Sequence, residues 1–315
     1  EIARDWSFLS GASRDMPERH RSMRAVFEQS WRFLTPAEKR LLRHLSVFRG
    51  GFRRDAAQSV AGATLQDLAG LVAKSLVNSQ GNDRYDMHQL VRHFASEELE
   101  ASRETHSARD RHAVWYIELA TSSEDALHGP QQILWLQRLD ADIQNFESAL
   151  RWIRGGDSTI APGDGWRMIS ALWWFCFVRG YWNDLYNWLT YFYQLDPVTD
   201  PAVRAIAIGR LGDLAWLRGD TQTAQRLATE SRTAALASGN DIAIAMAWYA
   251  EGQVYSQSDP PRSQAAYEES LAITRRKGRK WGEGRSLFRM GTSAMNGNDL
   301  DLAERYFDEA LAIFR

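Results

Sequence analysis

Cysteine is almost missing from this chain: Cys176 is the only one in 315 residues. A single thiol excludes an internal disulfide and a cysteine-based zinc site, and it suits a reducing cytosol, so a cytoplasmic location is expected. Lysine is nearly as scarce, with Lys39, Lys74, Lys277 and Lys280 against 34 arginines, a bias that reads as genome composition. None of the four closes a G-x-x-x-x-G-K-[ST] phosphate cradle, so the chain is expected not to hydrolyse ATP and not to be an enzyme by itself. All seven histidines lie at or before His128, which leaves the second half without an imidazole for general-base or metal chemistry. The longest apolar run, Ala171–Val178, is less than half of a bilayer span, and no signal peptide is expected. A net charge of −2 argues against binding nucleic acid by bulk electrostatics. His88 and His93 fall on different helix faces, and neither H-E-x-x-H nor G-x-S-x-G occurs. The carboxylate pairs Glu97-Glu98, Glu268-Glu269 and Asp299/Asp301 fit solvated faces or a helix start. No catalytic residue, no metal site and no cofactor of the chain alone is expected.

What is present is ordinary globular composition, 44% hydrophobic and 25% charged. The length suits two domains or one repeat array. The chain begins with Glu1 rather than Met and stops at Arg315, at the end of a helix with no polar cap after it. It therefore reads as a piece of a longer protein, with further repeats expected beyond it.

Self-comparison exposes a repeat. Gly180, Gly219 and Gly297 are 39 and 78 residues apart, with Ser258 in the missing slot. Leu185, Ala224 and Ala303 keep the same spacing to within a residue, as do Ser231, Ser270 and Ala310. Leu211-Gly212 matches Met290-Gly291, and Tyr267 matches Phe307. A period near 39 holding two apolar helical stretches predicts a helix–turn–helix solenoid over about 161–315, with about four repeats. The small residues mark close helix approach, and the glycines mark turns needing positive φ. Residues 166–193 hold twelve aromatics. Most suit the core, and Trp174 is the first of them to consider for a binding surface.

The first hundred residues read as three helices and a hairpin. Thr35-Pro36-Ala37-Glu38 is a capping box, followed by a stripe of Leu41, Leu42, Leu45 and Phe48 that Gly50-Gly51 ends. Asp55–Val60 is a second helix. Thr64–Lys74 is a third, with Leu65, Leu68, Leu71 and Val72 inward. Strand candidates Leu76-Val77 and Tyr85-Asp86-Met87 flank the turn Gly81-Asn82-Asp83, and Gln89–Glu100 is a fourth helix. This is a winged-helix order over 31–104. Arg109–Thr121, Ile133–Leu139 and Asp142–Ile153 are helical by period, within a connecting arm over 105–160, and Gly155–Gly165 is a loop. The fold class expected is mostly α.

Particular strings carry a family resemblance. Segment 284–315 resembles a tetratricopeptide repeat, with Gly291, Ala294, Ala303, Phe307 and Ala310 on its signature columns. Segments 205–236, 245–273 and 166–197 follow it less fully. Leu45–Phe52, Leu71–Val77 and Arg84–Arg92 resemble, in this order, the winged helix of STAND (NB-ARC-type) signalling ATPases. Asp142–Leu150 resembles the motif that opens their helical arm. Pro17–Trp31, within a joining segment 1–30, resembles the link to their ATPase core. The resemblance implies a switch held closed by ADP with the ATPase core as intramolecular partner. An inducer at the repeats then permits nucleotide exchange and homo-oligomerisation. It implies ADP or ATP with magnesium as cofactor of the full-length protein. It also places His88, in Met87-His88-Gln89, on the ADP β-phosphate once that core is present; Gln89 departs from the family's acidic residue. Carried onto the first helix of each repeat, it puts Asp213, Trp216, Tyr249, Gln253, Arg285, Arg289 and Asn296 on the inducer surface, with Trp174 by period alone.

Two other readings stay open. A winged helix can bind DNA, and Arg32, Lys39, Arg40, Arg43, Arg49, Arg53 and Arg54 form a basic cluster. The third helix, however, carries only Asp67 and Lys74 as charges, so the cluster is expected to face the ATPase core rather than nucleic acid. The repeats could also serve as a constitutive peptide-binding scaffold. No membrane partner is expected.

Overall fold

A computed structural model describes residues 29–195 and 200–315; the joining segment expected over 1–30 lies almost wholly outside them. The described residues form two units, one of 29–115 with 141–149 and one of 116–140 with 150–315. Among these residues no helix is long and apolar enough to cross a membrane.

The first unit is a winged helix. Helix α1 (Pro36–Leu45) starts on the expected capping box: Thr35 Oγ1 accepts from the Glu38 N–H at 3.2 Å and Glu38 accepts from the Thr35 N–H at 2.8 Å. It ends at Leu45 rather than at the glycines, because Ser46 caps it and Val47 and Phe48 turn into the core. Strand β1 (Phe52–Arg53), which the sequence did not reveal, precedes α2 (Arg54–Ala61) and α3 (Leu65–Ala73). Leu68 and Leu71 are buried, but Leu65 is 55% exposed, since it sits in the first turn beside the Thr64–Asp67 capping box. The hairpin pairs β2 (Asn78–Gly81) with β3 (Arg84–Asp86), and β1 lies on the other side of β3 in an antiparallel sheet. Leu76-Val77 was expected as the strand. It turns inward just before β2 and is buried there. Asn82 and Asp83 both have positive φ, 49° and 58°, the backbone a two-residue hairpin turn needs.

Helix α4 (Gln89–Ala101) follows, then α5 (Thr105–Ser123), a short 3₁₀ turn (Ala126–His128) and α6 (Gln132–Arg154). The two helices expected within 133–153 are one, because no glycine or proline interrupts them. Within the first unit, the Asp142–Leu150 string packs its polar residues on the wing. Asp142 pairs with Arg84 at 3.0 Å, and Arg84 also donates to the carbonyls of Gly50 and Ala141.

The second unit is an array of antiparallel helix pairs. Pro162 at the first helical position starts α7 (Pro162–Ala171), which shortens the loop expected over 155–165. Then come α8 (Trp173–Arg179), α9 (Trp182–Leu195), α10 (Pro201–Leu217), α11 (Thr221–Ser238), α12 (Asp241–Tyr255), α13 (Pro260–Arg276), α14 (Lys280–Asn296) and α15 (Leu300–Phe314). Close approach within pairs explains the small columns: a Cβ on Gly252 would lie 2.7 Å from the Tyr267 ring, and one on Gly291 2.7 Å from the Phe307 ring. Gly180 and Gly219 take the positive φ expected of turns, but at the last turn Asn298 takes it (61°) and Gly297 does not. Of the aromatic cluster, Trp166, Phe175 and Phe192 are fully buried and Trp182 is exposed.

A candidate ligand site in the helical repeats

The first helices of successive pairs, α10, α12 and α14, begin at Pro201, Asp241 and Lys280. Asp200 caps α10 through the Ala202 and Val203 N–H groups, and Asn240 caps α12 through those of Ile242 and Ala243. With the helices so registered, Asp213, Tyr249 and Arg285, at 36-residue intervals, come to one place. They line a cavity of about 360 Å³. Small residues, Ala205, Gly209, Ala245, Ala250 and Gly282, make up part of its walls. The other wall is Trp173, Trp281 and the turn carrying Glu124, Asp125 and His128.

The arginines are held by aromatic faces and carboxylates. The Arg285 guanidinium lies 3.8 Å from the Tyr249 ring centroid and 4.3 Å from that of Trp281. Arg289 Nε donates to Tyr249 Oη at 3.1 Å, and its Nη2 to Gln253 at 3.4 Å. Burial would raise the Tyr249 phenol, but Arg285 and Arg289 outweigh it and leave it below its ordinary value. Arg210 pairs with Glu124 at 2.6 Å and donates to the Ser170 carbonyl. His128 stacks on Trp281, with centroids 3.7 Å apart, and burial first, then Arg285 and Arg210, push its imidazole down to about 3. It is therefore neutral at physiological pH.

Arg210 Nε, His128 Nδ1 and one oxygen of Asp213 go unpaired here. Asp213 is 6% exposed, and its Oδ1 has no hydrogen-bond partner. Burial pushes its carboxyl up to about 6, against the opposing pull of Arg285, Arg289 and Arg210.

Of the residues expected on the inducer surface, Asp213, Tyr249 and Arg285 line the cavity. Arg289 and Gln253 stand directly behind Tyr249. Trp174 packs on His128 and Trp281, at 5.4 and 5.1 Å between centroids, and its neighbour Trp173 forms the wall. Trp216 is half-buried and Asn296 is exposed at the end of α14; neither lines the cavity. Sequence reasoning missed Trp173, His128, Arg210 and Trp281. The column itself held a signal for Trp173, which precedes Asp213 by 40 residues, close to the repeat period. Nothing in the repeat could have found His128, which comes from outside it.

His88 is the N-cap of α4. It is exposed, and its Nδ1 accepts from the Leu90 N–H at 3.3 Å, leaving Nε2 outward. Much of the expected basic cluster is spent locally. Arg40 and Arg43 pair with Glu104 at 3.3 and 2.7 Å, and Arg49 donates to the Ser46 and Phe48 carbonyls. Burial, with Arg92 and Arg109 adding to it, pushes Arg49 down to about 10. On α3, Asp67 is consumed by its capping box and Lys74 by Glu38 at 2.5 Å. Cys176 is buried, its thiol pushed up to about 12 by burial. Among the described residues, no three His, Cys, Asp or Glu side chains cluster as a metal site would need.

Residues 34–100 match the model of a winged helix-turn-helix domain family. The chain is 34% identical over 156 residues to proteins from Mycobacterium bovis and Mycobacterium tuberculosis named as HTH-type transcriptional regulators. The match covers 46% of this chain, and the chain spans 18% of the length of these curated relatives. Among solved structures, it is similar to a signal transduction ATPase with numerous domains (STAND) protein with a tetratricopeptide repeat sensor from Pyrococcus horikoshii. That similarity has a TM-score of 0.56 and 16% identity, and covers 96% of this chain and 47% of the other. It establishes the fold: a winged helix followed by a tetratricopeptide-like array.

Proposed function

We propose that this chain is the regulatory and sensor portion of a STAND-type signal-transduction ATPase. The observation that carries this reading is the cavity built from successive repeats, where Asp213, Tyr249 and Arg285 meet. Constitutive scaffolding needs no charge-lined cavity, whereas a small-molecule sensor does. An inducer held there favours one arrangement of the protein over another by its differential affinity for the two. In the full-length protein that shift releases ADP, admits ATP with magnesium, and allows oligomerisation. Hydrolysis belongs to an ATPase core outside this sequence, which the winged helix holds closed. His88 serves the closed state: with Nδ1 occupied by the helix cap, Nε2 is the nitrogen left for a β-phosphate.

The names of the mycobacterial relatives favour a second reading, a winged helix that binds DNA. The third helix opposes it, because both of its charged side chains are tied up inside the domain.

The first reading is tested in the full-length protein by the release rate of a fluorescent ADP analogue. His88→Ala should hasten release and raise basal ATPase activity. Unchanged release and unchanged activity reject the role of His88 in autoinhibition. For this chain alone, calorimetry with magnesium-ADP should show no saturation below millimolar nucleotide. One imidazole contributes about 1.5–3 kcal/mol to a charged acceptor, against about 8 kcal/mol for micromolar binding.

A further inference from the structure

The cavity has a polar edge that the fold leaves unsatisfied. Asp213 Oδ1 and Trp173 Nε1 are both buried, both belong to residues lining the space, and neither has a hydrogen-bond partner. Buried polar atoms are nearly always paired, so an orphaned acceptor and an orphaned donor on residues that line one space point to a ligand that supplies a donor and an acceptor.

Charge bookkeeping restricts that ligand further. Arg210 is neutralised by Glu124, Arg279 by Asp125 at 2.6 Å, and Lys280 by Glu283 at 3.1 Å. Arg285 and Asp213 remain, with opposite signs. A cation would meet the half-buried Arg285 and an anion the buried Asp213. The walls then set the shape: Trp281, Tyr249 and Trp173 offer ring faces, and a volume of about 360 Å³ suits a small molecule rather than a peptide segment.

We propose that the cavity takes a neutral, flat, ring-bearing amide-like molecule whose N–H donates to Asp213 and whose carbonyl or ring nitrogen accepts from Trp173. This deepens, and rests on, the reading of the repeats as a ligand sensor.

The test uses 2-quinolone, which carries an adjacent N–H and C=O on a flat ring, and N-methyl-2-quinolone, which lacks the N–H. Binding to this chain is followed by quenching of tryptophan emission and by saturation-transfer NMR. The wild type should bind 2-quinolone at least tenfold more tightly than its N-methyl analogue. Asp213→Leu, which removes the acceptor while filling its space, should bind the two alike. Asp213→Asn keeps one acceptor and should retain part of the preference, so it replaces the leucine variant if that fails to fold. Trp173→Phe should weaken 2-quinolone several-fold. Equal affinity of the wild type for the two probes would overturn the proposal, as would an unchanged preference in Asp213→Leu, or in Asp213→Asn where that replaces it. Absence of saturable 2-quinolone binding to the folded chain would do the same. These readouts are independent of nucleotide. Failure here leaves the sensor reading to the full-length release assay, and binding with no effect on ADP release in that assay rejects the sensor reading while leaving the cavity's chemistry intact.

Discussion

Asn145 Oδ1 accepts a hydrogen bond from the backbone N–H of Arg49 at 2.7 Å. The same amide donates to the Gly51 carbonyl at 2.9 Å, and His112 Nε2 lies 3.3 Å from its oxygen. One fully buried side chain thus satisfies both sides of the Gly50 turn, where φ is +70°. Removing it leaves an orphaned N–H and an orphaned C=O, about 1–3 kcal/mol each. Asn145→Leu should therefore speed hydrogen exchange at the Arg49 amide by about a hundredfold, with far smaller changes in α12–α15. Exchange at Arg49 as slow as in the wild type would show that the turn holds itself.

Asp213 makes stability depend on pH with a definite sign. In the fold it keeps its proton to about pH 6, whereas in the unfolded chain an aspartate loses it near about pH 4. Between these values the fold binds more protons, so its stability falls as pH rises from about 4 to about 6. Above that range the ionised carboxyl costs on the order of 2–3 kcal/mol. Asp213→Asn should raise the thermal midpoint of the ligand-free chain at pH 8 and leave it nearly unchanged at pH 4. An equal effect at both pH values would mean that its benefit comes from packing and not from charge.

Glu251 is 1% exposed and clamped by two arginines, Arg262 at 2.6 Å and Arg232 at 3.0 Å. Deleting Glu251 removes the charged acceptor of both arginines, which are themselves about a third exposed and regain water. Glu251→Ala should cost about 1.5–3 kcal/mol in chemical denaturation followed in the repeats. Arg232→Ala, which leaves Arg262 in place, should cost clearly less. Equal losses in the two variants would contradict the clamp.

The winged helix should not read DNA. Non-specific affinity grows with the number of phosphates neutralised, and Arg43, Arg49 and Lys74 are already engaged with protein groups. Fluorescence anisotropy with a random duplex at physiological salt should show binding no tighter than about 100 μM, the weak end of non-specific affinities. Micromolar binding with a steep salt dependence would return the DNA reading to first place.

How much of this was legible depends on the range of the interaction. The Thr35–Glu38 box, the Asn82-Asp83 turn and the column of glycines opposite Tyr267 and Phe307 could be read because each is fixed by neighbours or by a repeated spacing. The same periodicity placed Asp213, Tyr249 and Arg285 on first helices. It failed where a single long-range contact decides: β1 has two residues and exists only through its pairing with Tyr85 and Arg84. Leu65 has the right spacing to be inward, yet the capping turn exposes it.

The sequence alone determined most of the helix positions, the repeat, and the lack of a G-x-x-x-x-G-K-[ST] motif, because propensity, capping and period are local properties of the chain. Tertiary structure decided which of the repeated positions meet at the cavity. It chose Trp173 over Trp174, brought His128 in from outside the repeat, and buried Asp213 with one oxygen unpaired. Burial and pairing depend on what several helices place around an atom, and no spacing along one of them contains that information.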